Sequence, residues 1–398
     1  MRDMPPAAIT GVGLVLPQGA GLEAVEPVFR GESAIAYLSG FPGLKGATAA
    51  ALADFVPPRG TEDADRAVQF AVQAADEAWA RSGLGASGVD PRRVAVLVAL
   101  SKGGVFALSE AAACPDGRDA WARGGPDAAA RAVAARFGVT GGMAVPVTAC
   151  ASGGHAIVWG ARLIGRGVVD AVIVGAAEAS IHPLVIGSYK RMGVLADACG
   201  DPASSVRPFS LTRRGFAIGE GAAVLVLESE ASAGRRGADV VARVTGWAAG
   251  AHAASLTDVE ASGETLARLM CEAMRRAGIR PAQVDYVHAH GTATVTNDLA
   301  EARAIRCALG KASGRVSVSS TKGSHGHLLG AATAVEVAVT ALAIRRGEVP
   351  ATANLTDPDP AIGLDCTALQ PRRRSIVHAI KISSGFGGQS LALCLGAA

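Results

Sequence analysis

Apolar residues in this chain fall into short dense runs, separated by longer stretches where they recur every three or four positions. The runs RVAVLVAL (93–100), DAVIVGAAEA (170–179), GAAVLVLES (221–229) and RVSVSS (315–320) are Val-rich and barely interrupted. Such runs predict strands buried on both faces, because a strand with one wet face alternates instead. Segments 64–83, 153–167, 262–278 and 330–347 carry apolar side chains at helical spacing in Ala-rich sequence and close near glycine. They predict helices with glycine stops. Strands and helices alternating in this order predict an α/β protein built in layers.

The order of features repeats. Each half contains an Ala-rich helix ending near RSG or RAG, a buried strand, a small-residue stretch carrying Cys or His, and another Ala-rich helix and strand. One fold used twice is the economical reading, with an N-terminal half at 1–235 and a C-terminal half at 236–398. No Pro/Ser-rich linker or low-complexity segment marks the junction.

Composition narrows the classes. Of 398 residues, 49% are hydrophobic, enough for a large core, while 50 glycines and 4% aromatics predict close backbone packing. The net charge of +3 gives no footprint for a nucleic acid. Basic clusters at Arg213-Arg214, Arg345-Arg346 and Arg372–Arg374 read as solvated ends and loops, or as contacts for an acidic partner. Seven scattered cysteines without a CxxC pair predict reduced thiols. The first residues lack the apolar core of a signal peptide, and no uncharged apolar run reaches the roughly 18 residues of a span, so a soluble cytoplasmic protein without a membrane partner is expected.

Three residues carry candidate chemistry. Cys150, in VPVTACASGGHAIVWGARL, stands between an extended segment and a helix start, where free N–H groups and the helix dipole favour a thiolate. Its neighbours Ala149, Ala151, Ser152, Gly153 and Gly154 are small and leave room for a substrate. A lone buried cysteine is more often a small hydrophobe, so the second half matters. His290 in YVHAHGTATVTNDLAEA and His327 in VSSTKGSHGHLLGAATAVE each follow a predicted buried strand, which aims both at one pocket. Carboxylates are missing from both strand ends, so no metal is expected.

These motifs resemble those of the β-ketoacyl-acyl carrier protein synthases. TACASG, AHGTAT, STKGSHGHLLGAA and SSGFGGQS (383–390) stand in that family's order, and ITGVGLVLP (9–17) and GFAIGEGAAVLVLE (215–228) match too. The resemblance implies a thiolase fold, five layers α-β-α-β-α from two duplicated halves, assembled as a homodimer or as a heterodimer with a chain-length factor-like subunit. It implies catalytic Cys150, His290, His327 and Lys322, with Glu336 as structural support for the lysine. The N–H groups of Cys150 and Phe386 would form the oxyanion hole. Thr292 and Thr294 would contact the phosphopantetheine arm of an acyl carrier protein, with Phe386 as a gate, and no cofactor would be needed. The bland roles of these residues are a threonine cap, a buried ion pair and a core-filling ring. His325, His155 and His182 match no catalytic position and are read as structural.

The chain departs from the family at several places. Lys102 stands where relatives carry an aliphatic acyl-pocket residue and Tyr189 where they carry phenylalanine, which points to a polar, unsaturated or short acyl substrate. Ser210 and Arg214 replace acidic residues, so that Arg207, Arg213 and Arg214 would face an acidic carrier protein. His288 replaces a common asparagine. Such drift favours a specialised polyketide enzyme. The alternatives are a non-elongating acyltransferase, a thiolase-like enzyme acting on coenzyme A thioesters, and a chain-length-determining partner subunit of a ketosynthase heterodimer.

Overall fold

The computed structural model describes residues 4–398 apart from 40–43, 45, 115–117, 199 and 254. Its frame is a ten-stranded sheet, in which a two-residue strand pairs beside a main path of nine strands: β1 (Ala7–Leu16), β2 (Val94–Leu100), β3 (Ala171–Glu178), β4 (Gly221–Ser229), β5 (Ala242–Ala251), β6 (Tyr286–His288), β7 (Ser317–Ser319), β8 (His378–Gly385) and β9 (Gln389–Gly396). Their order is β7-β6-β8-β9-β5-β1-β4-β3-β2.

The duplication is visible in the pairing. In the first half β1 runs antiparallel to β4, β4 antiparallel to β3, and β3 parallel to β2. In the second, β5 runs antiparallel to β9, β9 antiparallel to β8, and β8 parallel to β6, which is parallel to β7. Within this sheet, among the described residues, the ladders of the two halves meet where Ala7–Ile9 of β1 pairs with Ala242–Val244 of β5. The counterpart of β7 in the first half is a single bridge between Val96 and Met143. The extended segment expected before Cys150 therefore forms no strand, consistent with Pro146, which has no N–H for a ladder.

Helices cover the strands in layers. α1 (Arg66–Ser82) and α2 (Ala128–Phe137) pack on the outer face of the first half. α3 (Ser152–Gly165) and α8 (Ala332–Arg346) lie between the halves and touch strands of both. α5 (Glu264–Ala277) and α6 (Val295–Leu309) cover the far face, which completes the five layers; α4 (Pro183–Arg191) and the short α7 (Lys322–His325) lie in loops near the site. Strand residues alternate between cores: Ala95, Leu97 and Ala99 of β2 face the central helices, whereas Val94, Val96 and Val98 face α1 and α2. Both sets are apolar because both faces are covered, which is why the runs looked continuous in sequence. In α8 every residue from Ala332 to Ile344 is buried, so Glu336 within it needs charged partners. Among the described residues no helix is long and apolar enough to cross a membrane.

Candidate active site

Cys150 sits on a tight turn between the extended segment and α3. Ala149 takes a left-handed backbone, φ 49°, and a three-residue 3-10 turn Ala149–Ala151 leads into the helix. Ser152 ties the turn by accepting from the Thr148 N–H at 2.9 Å and donating to the Ala149 carbonyl at 2.7 Å. Thr333 of α8 donates to the Cys150 carbonyl at 2.8 Å and meets Ser383 of β8 at 2.8 Å. A strained turn anchored on three sides holds the thiol in one place.

The glycines after Cys150 do not make room for substrate, as the sequence reading held. A β-carbon on Gly153 would come within 2.7 Å of Ala334, and one on Gly154 within 2.5 Å of Leu391. That space belongs to α8 and β9, and the glycines let α3 approach them. Burial pushes the Cys150 thiol up to about 11, against the pull of Lys102 and Lys322. Desolvation is the largest influence on the thiol, and the two lysines offset it only in part.

His290 and His327 meet Cys150 from the other half. His290 follows β6, His327 follows α7, and their ring centroids lie 5.2 Å apart at 81°. A ring nitrogen of each and the Cys150 sulfur all lie within 4.8 Å of one another. The Leu329 N–H donates to His327 Nδ1 at 3.3 Å, so that ring carries its hydrogen on Nε2. Lys322 Nζ lies 3.3 Å from His290 Nδ1, and an ammonium has no acceptor, so Nδ1 accepts and Nε2 again bears the hydrogen. Burial, with Lys322 next, holds both imidazoles well below the ordinary histidine value. The result is two neutral N–H donors beside a nucleophilic sulfur. Lys322 and Lys102, both within electrostatic reach of the thiol, oppose a cation among these three donors.

Lys322 also donates to the His290 carbonyl and pairs with Glu336, both fully buried. Burial raises the Glu336 carboxyl, but Lys322 and Lys381 more than offset that and hold it below the usual range. Glu301 of α6 accepts the His290 and Gly291 N–H groups at 2.6 Å each and takes Asn297 at 2.8 Å. Neither Lys381 nor Glu301 was among the candidates. An acid in the second turn of α6, in NDLAEA, was the only sequence trace of the second.

A cavity of about 490 Å³ opens over these groups and is lined by Cys150, both histidines, Thr292, Thr294, Phe386 and Tyr189 among others. Tyr189 stacks on Phe386 with centroids 6.0 Å apart. Thr292 and Thr294 bond each other at 2.8 Å. Thr294 occupies the cap position of α6, but its side chain makes no capping bond, and both threonines line the cavity. Gly385 brings the Phe386 turn against Cys150: a β-carbon there would lie 3.2 Å from the Cys150 nitrogen.

Other candidates move. Lys102 does not line this cavity; its Nζ lies 3.0 Å from Glu178 Oε1 and 2.7 Å from Ser101 Oγ, so the charge is compensated. Arg213 is not a docking residue, because it is buried against Asp359 at 2.7 Å and beside Asp298. Arg207 is half-buried and donates to the Ser204 carbonyl at 2.7 Å. Arg214 is exposed at the cavity mouth. His155 bonds Thr148 at 2.9 Å, His182 accepts the Leu184 N–H at 3.3 Å, and His325 bonds Thr321 at 2.8 Å, all away from the cavity.

Comparison with known proteins agrees with this geometry. Residues 4–233 match the model for the beta-ketoacyl synthase N-terminal domain, and 241–356 match that for its C-terminal domain. The chain is 36% identical, over 98% of both sequences, to a putative polyketide beta-ketoacyl synthase 1 of Streptomyces cyaneus. Among solved structures, it superposes with TM-score 0.92 and 31% identity on a type II PKS ketosynthase bound to its acyl-carrier protein and the hexaketide, covering 100% of both chains. The ishigamide ketosynthase/chain length factor matches with TM-score 0.91 and 29% identity over 100% of each chain.

Proposed function

The chain belongs to the beta-ketoacyl synthases, thiolase-fold acyltransferases that condense chains in type II polyketide or fatty-acid synthesis, and on that premise we propose how its residues divide the reaction. The observation that carries the proposal is the buried meeting of one thiol with two imidazoles that both present Nε2–H.

Cys150 attacks the acyl thioester on a carrier protein. A new C–S bond forms, the old one breaks, and the thiol proton leaves on the phosphopantetheine sulfur. The N–H groups of Cys150 and Phe386 serve the oxyanion, a reading supported by the contact between their two turns. Malonyl carrier protein then takes the cavity, its pantetheine arm along Thr292 and Thr294 and past the Phe386 gate. His290 and His327 donate to its thioester oxygen as carbon dioxide departs, so that the electron pair collects as an enolate. That carbon attacks the acyl-enzyme, a C–C bond forms, and Cys150 leaves as a thiolate that regains a proton. The chain grows by two carbons, and Lys322, supported by Glu336, holds His290 throughout.

The division into halves 1–235 and 236–398 belongs to this reading, supported by the repeated strand pairing and by the short β1–β5 seam. So do a bacterial cytoplasmic setting and a second subunit, either identical or resembling a chain-length factor. The sequence-based preference for a polar, unsaturated or short acyl chain now rests on Tyr189, which lines the cavity, more than on Lys102.

The test is a full reaction with acyl- and malonyl-carrier protein. A β-ketoacyl product two carbons longer, with stoichiometric carbon dioxide, is expected; acylation of Cys150 without carbon dioxide would instead mark a non-elongating acyltransferase. For the partner, Arg214→Glu should weaken carrier-protein association by about 3- to 10-fold and flatten its salt dependence, leaving the turnover of bound substrate unchanged. Unaltered affinity by titration calorimetry would remove Arg214 from the docking surface.

A further inference from the structure

Two buried lysines divide one carboxylate. Lys322 pairs with Glu336 Oε1, and Lys381 of β8 lies 2.8 Å from Glu336 Oε2. One lysine suffices to neutralise Glu336, and burying a second ammonium is costly. The other contacts of Lys381 show what that second ammonium accomplishes. It donates to the carbonyls of His288 at 3.3 Å and Ala289 at 3.0 Å, the two residues that lead into His290, and to that of Ile382 at 2.5 Å. Glu301 grips the following N–H groups of His290 and Gly291. The backbone around His290 is thus held at its carbonyls by Lys381 and at its N–H groups by Glu301.

We propose that Lys381 is a positioning residue for condensation, which works through the His288 and Ala289 carbonyls and through Glu336 to fix the His290 imidazole beside Cys150. The inference rests on the decarboxylating role given above to His290 and His327. Lys381 also adds positive charge near both rings. The charged or titratable groups facing this centre are Lys322, His325 and His327 around α7, Glu336 on α8, Glu301 and Asp298 on α6, Tyr286, His288 and His290 on and after β6, and Lys102 toward His327. Of these, only Glu336 is held ionised below the usual range, while burial raises the Asp298 carboxyl to about 6 and the Glu301 carboxyl to about 7. Removing Lys381 takes a cation from beside the imidazoles and lets them protonate more readily. Because the neutral rings are the donors, the acid limb of the decarboxylation profile then moves to higher pH.

The experiment follows carbon dioxide release from malonyl-carrier protein between about pH 5 and about pH 9, with acyl loading of Cys150 measured in parallel. Wild type, Lys381→Met and Lys381→Arg are compared. The Met variant should load Cys150 within about threefold of wild type, decarboxylate about 10- to 100-fold more slowly, and show an acid limb about half to one unit higher. The Arg variant, which keeps charge and donors, should recover the limb and most of the rate. An unchanged Met variant overturns the proposal. So does a loss of loading and decarboxylation in step, with a lower Tm and no recovery in the Arg variant, because that marks a purely structural lysine. If the Met variant does not fold, Lys381→Gln, which keeps a donor for the carbonyls and drops the charge, carries the same comparison. Wild type that loads but never decarboxylates overturns the underlying function itself, and does so before any variant is measured.

Discussion

His327→Ala and His290→Ala each lower decarboxylation of malonyl-carrier protein by about 10²- to 10³-fold, while Cys150 still accepts an acyl chain. Each ring contributes one Nε2–H where enolate charge develops, and the thiol needs neither ring to expel the carrier thiol. The two losses do not add in the double variant, because one remaining donor already works alone in a site built for two. The pH dependence separates this account from acid catalysis by an imidazolium. Both rings are held well below the ordinary value by burial and then by Lys322. The active neutral form therefore persists as pH falls through about 6.5, and the wild-type rate should stay level there. Carbon dioxide release across that range, beside intact-protein mass for loading, reads both. A wild-type rate that rises on acidification, or histidine variants that lose loading equally, would refute the assignment.

Glu336→Gln should destabilise the protein by about 3–5 kcal/mol at pH 7, because it leaves Lys322 and Lys381 buried without their anion. In the native protein burial lowers the Lys381 ammonium to about 8, and Glu336 limits that fall. A lysine depressed in the folded state gives stability that is present above its unfolded value, about 10.4, and lost as pH falls through the folded value. Without Glu336 the folded value drops further, so the variant's stability should climb more steeply with pH than that of wild type between about pH 7 and about pH 10. Thermal midpoints of both proteins across that window test this. A midpoint difference that does not shrink with rising pH would mean that the carboxylate contributes by shape alone.

The strands and central helices were legible because covering both faces of a sheet forces apolar residues onto every strand position. The site was legible where chemistry sits beside a break in pattern: Cys150 among small residues at a helix start, His290 and His327 after buried strands. Its support was not. Lys381 in HAIKISSG reads as the wet position of a strand, and only the approach of α8 and β6 buries it. Arg213 read as a solvated charge because its acids, Asp298 and Asp359, lie far along the chain. Gly153 and Gly154 read as open space for the same reason: their neighbours Ala334 and Leu391 come from the other half.

The most direct test of the central claim is the mass of the Cys150 peptide after incubation with a panel of acyl-carrier protein thioesters, wild type against Cys150→Ala. The account predicts one acyl group on that peptide in wild type, none in the variant, and release of the group onto malonyl-carrier protein when it is added. An acyl group carried on any other residue, or equal acylation of the Cys150→Ala protein, would contradict it.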